Sequence, residues 1–78
     1  MKLTFFGRLR DAVGTAEIDC LLPTNVVDSE DLRTYIAELY PPLLDAPVRL
    51  ALDNVLVTGR ASIAGVAEVA FLPPVSGG

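Results

Sequence analysis

The residues best placed to do chemistry in this chain are its last six, Pro73-Pro74-Val75-Ser76-Gly77-Gly78. They follow an apolar run, Val69-Ala70-Phe71-Leu72, that reads as a β-strand. Two prolines cannot continue a central strand, because each lacks an N–H and holds φ near −65°. They also push the residue before them into an extended conformation. Six extended residues span roughly 20 Å at about 3.3 Å each. The two glycines carry no Cβ, so the final stretch can approach another backbone closely. A stiff stem with a slim, unhindered carboxylate suits a partner's narrow channel. The candidate reactive group is therefore the carboxylate of Gly78. The plainer reading is a frayed terminus of small residues.

Composition withholds the parts of a self-sufficient enzyme. Histidine is absent, so no side chain of ordinary pKa near neutrality is available for acid–base work. A Ser-His-Asp triad, a Cys-His pair and a His-liganded zinc site are excluded with it. Gly7, Gly14, Gly59 and Gly65 are isolated and form no phosphate loop. The net charge is −4, against nucleic-acid binding and compatible with a basic protein partner. No apolar run approaches the roughly 18 residues of a membrane span, and the opening is too short before its next charge for a signal peptide. The expected location is cytoplasmic. Cys20 is the single cysteine and permits no intrachain disulfide. Alternation places it with Ile18 and Leu22, as a small buried hydrophobe rather than a reactive thiol.

The elements that must position the tail follow from periodicity. With 78 residues the chain makes one small domain, residues 1–72, with 73–78 as the extended tail. Lys2 to Phe6 reads as a strand, Gly7 to Gly14 as a connection, and Thr15 to Leu22 as a second strand closing an antiparallel hairpin. Asp28 or Ser29 caps a helix, with Glu30 and Asp31 in its first turn as capping charge rather than a metal or catalytic cluster. Leu32, Tyr35, Ile36 and Leu39 form its apolar stripe, and Pro41-Pro42 stops it. Val48 to Asp53 alternates as a third strand, Asp53-Asn54 turns, and Val55 to Thr58 is a fourth. Arg60 to Ala67 is a loop with one helical turn around Ser62 to Ala64. Glu68 to Leu72 is the last strand. A single helix covers one sheet face only. If Leu3, Phe5, Val69 and Phe71 meet it, then Phe6, Ala70 and Leu72 lie on the open face, where grouped apolar residues suggest a protein interface.

The ending Glu68-Val69-Ala70-Phe71-Leu72-Pro73-Pro74-Val75-Ser76-Gly77-Gly78 resembles the C-terminal signature of the MoaD family, the small sulfur-carrier subunits of molybdopterin synthase. The opening Leu3-Thr4-Phe5-Phe6-Gly7-Arg8-Leu9-Arg10 resembles that family's first strand and following loop. Length and element order fit throughout. The segment Ile63-Ala64-Gly65-Val66-Ala67-Glu68 departs from the acidic, glycine-rich turn common there.

The resemblance implies an α+β, ubiquitin-like β-grasp fold, with the first and last strands side by side at the sheet centre. It also implies a mechanism. A MoeB-like enzyme uses ATP and magnesium to adenylate Gly78. A sulfur donor, such as a cysteine desulfurase or a rhodanese-like protein, converts the adenylate to a thiocarboxylate. The loaded tail enters a MoaE-like large subunit, in a heterotetramer, and delivers sulfur to cyclic pyranopterin monophosphate. The chain itself then binds no cofactor or metal, and the catalytic side chains belong to its partners. Gly78 reacts, Gly77 lets the end pass, and Ser76, Val75, Pro74, Leu72 and Phe6 are the implied contacts. Three other roles suit the same residues: a ThiS-like carrier for thiazole or sulfur amino acid synthesis, a ubiquitin-like protein modifier, and a binding module with an inert tail.

Overall fold

The computed structural model describes residues 1–43 and 47–74. Along the chain lie β1 (Lys2–Phe5), α1 (Arg8–Val13), β2 (Glu17–Asp19), α2 (Ser29–Leu39), a 3-10 turn (Pro41–Leu43), β3 (Arg49–Leu52), β4 (Val55–Val57) and β5 (Glu68–Leu72). The five strands form one mixed sheet in the order β2-β1-β5-β3-β4. β1 and β5 run parallel at its centre, with Leu3 opposite Val69 and Phe5 opposite Phe71. β2, β3 and β4 join by antiparallel pairing. The α+β, β-grasp expectation holds, with the central pair where the resemblance placed it.

Strand alternation decides what is buried. Leu3, Phe5, Val69 and Phe71 all point to one side and are almost wholly removed from solvent. They share a core cluster with Leu32 and Ile36 of α2 and with Leu50 and Leu52 of β3. The Phe5 and Phe71 rings stack at 5.0 Å between centroids, and Tyr40 meets Phe5 edge-on at 6.2 Å. Each buried side chain of this size contributes about 1.5–3 kcal/mol through lost apolar hydration.

The helix stripe needs one correction. The buried arc of α2 is Ser29, Leu32, Ile36 and Ala37. At 100° per residue, Tyr35 and Leu39 fall on its rim, so Tyr35 is half-buried and Leu39 stays exposed. Two further expectations fail. The connection after β1 contains the helix α1, because Leu9 at 1% exposure pins it to the core and Gly14, left-handed at φ 92°, ends it by donating its N–H to the Arg10 carbonyl. The segment Ser62 to Ala64 is not a helical turn; Ser62 bridges Asp28, and the Ile63 N–H donates to the Val27 carbonyl. The second strand is also shorter than expected, Glu17–Asp19.

That bridge fastens the start of α2. Asp28 is the N-cap, its carboxylate accepting from the Asp31 N–H at 2.8 Å. Arg60 donates to the same carboxylate at 2.6 Å. The buried Ser29 hydroxyl donates to the Gly59 carbonyl and accepts from the Ala61 N–H. The Asp31 backbone N–H, then Arg60, holds the Asp28 carboxyl below its ordinary 3.8. A carboxyl more acidic in the folded than in the unfolded state adds stability above its unfolded pKa. That contribution is lost as pH falls through the folded value. The expected result is that, between about pH 5 and pH 3, the melting temperature of the native protein falls more steeply than that of Asp28→Asn. Asparagine keeps the cap but does not titrate. Parallel melting curves across that range would contradict this.

Asp53 and Asn54 form the two-residue β3–β4 turn, both with positive φ (47° and 71°). This matches the twist of the flanking strands. The Asp53 carboxylate then accepts from the N–H groups of Ala67 and Glu68, the latter at 2.9 Å. The turn thereby fixes where β5 begins.

Candidate site at the exit of the last strand

β5 delivers the chain to the end of the sheet where β1 also finishes. There the Phe6 N–H donates to the Phe71 carbonyl at 3.0 Å, extending the central pairing by one bond. Across from Leu72 stands Arg49. Leu72, Pro73 and Pro74 are half-buried, and Phe6 is 46% exposed. Val75, Ser76, Gly77 and Gly78 lie outside the described residues.

Gly7 makes a contact the sequence did not disclose. Its backbone sits at φ 57°, ψ −137°, which residues with a side chain rarely adopt. A Cβ placed there would stand 3.1 Å from Cγ of Pro73. The loop after β1 therefore packs directly against the root of the tail. The neighbouring bulk of Pro73 becomes informative only once the two strands are known to be parallel. Gly7→Ala should lower the unfolding free energy by about 1–3 kcal/mol from backbone strain alone. It should also displace the Pro73 ring. Urea denaturation reads the first effect and the Pro73 Cγ chemical shift the second.

The open face of the sheet is laid out in rows. Glu17, Thr4, Ala70, Ala51 and Leu56 face one another in register across it. Toward the tail root the next row is Leu72 and Arg49, beside Phe6. Away from the root the row is Asp19, Lys2 and Glu68. Lys2 pairs with Glu17 at 3.4 Å, and the Thr4 hydroxyl donates to Glu68 at 2.7 Å. The face is thus apolar near the tail except for the Arg49 cation, and carries the Lys2–Glu17 ion pair and the Glu68 carboxylate at the far end. Leu56, 51% exposed, extends the apolar part to the β4 edge. The structure brings Phe6 and Leu72 together with Ala70, as expected, and adds Ala51, Leu56 and Arg49.

Other candidates resolve into structural roles. Asp28, Glu30 and Asp31 cap α2 and pair with Arg60 and Arg33. Cys20 is half-buried against the core, and its N–H donates to the Met1 carbonyl. Among the described residues no three His, Cys, Asp or Glu side chains converge as a metal site, and no helix is long and apolar enough to cross a membrane.

The ThiS family profile matches residues 3–78. The chain belongs to the ThiS family. Its β-grasp fold recurs in a Pyrococcus furiosus protein described as molybdopterin converting factor, subunit 1, with TM-score 0.74, 22% identity, and 95% of each chain covered. It recurs also in small archaeal modifier protein 1 from Methanosarcina acetivorans, with TM-score 0.70, 21% identity, and coverage of 99% of this chain and 94% of that one. No curated protein sequence matches significantly. Within the ThiS family frame, the matched segment includes the tail root and the diglycine, so the site at the exit of β5 falls inside the family's span.

Proposed function

We propose that this ThiS-family chain is a sulfur carrier of the molybdopterin type, with the Gly78 carboxylate as the atom group that reacts. The observation that carries the reading is the continuous unit of family match, central β5 strand and Pro73-Pro74 root. The fold shared with a molybdopterin converting factor subunit supports the choice of pathway.

The chemistry follows from the carboxylate. Its direct acylation of a sulfur nucleophile would expel oxide, a very poor leaving group. A MoeB-like enzyme with ATP and magnesium supplies AMP as the leaving group instead. A persulfide sulfur from a cysteine desulfurase or rhodanese-like donor then attacks the acyl carbon, and AMP departs with the C–O electron pair. A thiol then attacks the donor's sulfur of the acyl disulfide, forming a new disulfide with it and releasing the Gly78 thiocarboxylate. Docked on a MoaE-like large subunit through Phe6, Leu72 and the apolar end of the open face, the carrier presents this sulfur to cyclic pyranopterin monophosphate. Gly77, Ser76, Val75 and Pro74 line the partner's channel.

Intact-mass measurement after incubation with the activating enzyme, ATP and a sulfur donor tests this. Replacement of one oxygen by sulfur at Gly78 is expected. A chain that remains unchanged while its activator is competent would defeat the proposal. The likeness to small archaeal modifier protein 1 favours a second reading, acyl transfer to lysines of other proteins. Isopeptide-linked products in place of the thiocarboxylate would select it.

A further inference from the structure

The sequence contains five arginines and a single lysine, Lys2. An activated acyl carrier is a hazard to itself, because any free amine on a second copy competes with sulfur for the adenylate. Lys2 sits at the start of β1, beside Glu68 of β5. The tail leaves from the opposite end of that parallel pair, roughly 13 Å further along at 3.3 Å per residue. The Lys2 ammonium pairs with Glu17 at 3.4 Å, and both side chains are about half exposed. Its amine must leave that carboxylate and lose a proton before it has a lone pair to offer. It also projects from the open face, on which Phe6, Leu72 and Leu56 lie. The Met1 amine is held more closely, donating to the Cys20 carbonyl at 3.1 Å and pairing with Asp19 at 3.5 Å.

We propose that Lys2 is the position at which this chain accepts the acyl group of a second activated copy. This rests on the reading of Gly78 as the activated carboxylate. In the step, the neutral Lys2 nitrogen attacks the Gly78 acyl carbon of the other copy. The new C–N bond forms, the bond to AMP breaks with its electron pair going to AMP, and the nitrogen's surplus proton passes to solvent. The product is a Gly78–Lys2 isopeptide. It places a whole second domain at the charged end of the open face, and it consumes the donor's Gly78 carboxylate, so the donor is lost to sulfur delivery. Arginine in place of lysine at the other five basic positions leaves no second ε-amine.

The test incubates the full chain with its activating enzyme and ATP, without a sulfur donor. A parallel sample contains hydroxylamine, which traps the adenylate as a Gly78 hydroxamate. The expected result is a hydroxamate in the trap and, in its absence, conjugates whose peptide maps show the Gly78–Lys2 linkage. Lys2→Arg, which preserves the ion pair with Glu17, should lose the conjugates and keep the hydroxamate. A hydroxamate with no conjugate, or with a linkage at another residue or persisting in Lys2→Arg, overturns the proposal and leaves the Gly78 reading intact. Absence of the hydroxamate itself overturns both readings together.

Discussion

Removing Gly78 should abolish sulfur loading while leaving the melting temperature within about 1 °C of the native value. The shortened chain still ends in a glycine carboxylate, so the loss is one of reach rather than of functional group. One residue of extended chain is about 3.3 Å. Reacting atoms must approach to roughly 3–3.5 Å, and a misplacement of even 1 Å is worth about a hundredfold in rate. A full-length chain carrying a C-terminal carboxamide isolates the other requirement. It has the full reach but no carboxylate to adenylate, and should also stay unloaded. The core closes at Phe71, with Pro73 seated on Gly7, so neither change touches what holds the domain together. Loading of either variant at the native rate would remove Gly78 from the mechanism.

The largest effect on stability is expected at Phe71. Its ring is 1% exposed and stacks on Phe5 between the two central strands. Truncation of a buried Phe to Ala costs about 3–5 kcal/mol, through lost transfer energy and a residual cavity. A domain of this length has a total stability of the same order, about 3–5 kcal/mol from a single core of its size. Phe71→Ala should therefore be largely unfolded at 25 °C, with collapsed amide dispersion in its NMR spectrum. Phe71→Leu keeps most of the volume and should fold with a loss of about 1–2 kcal/mol. A cooperative, native-like transition in the alanine variant would show that the core is better able to close over the gap than the stacked pair suggests.

The elements legible in the sequence were those with a strong period. β5 is found where Val69 and Phe71 alternate with Ala70 and Leu72, and α2 where Leu32 and Ile36 repeat at helical spacing. The central place of β5 was implied by the family resemblance, with which the apolar character of both its faces agrees. The helix α1 was not legible, because six residues with Leu9 as the only buried one make no period. Its helicity comes from tertiary anchoring rather than local preference. The bridge between Asp28 and Ser62 was hidden for a similar reason, since it joins segments far apart in sequence. At the site, Phe6 and Leu72 could be placed on the open face by alternation alone. The approach of Gly7 to Pro73 and the position of Arg49 opposite Leu72 depend on strand order, which no local pattern specifies.

The pairing of β1 with β5 also sets when the protein can come into being. Thr4 and Glu68, joined by a hydrogen bond, are 64 positions apart along the chain. Non-local contacts of this kind must be closed before they return any stabilisation, and they slow folding. The first strand consequently waits for a neighbour synthesised much later. Until β5 inserts, the edges of β1 and β3 that it will cover remain wet, and no intermediate length of nascent polypeptide has a complete core. Closure of the core and the seating of Pro73 on Gly7 are thus a single event.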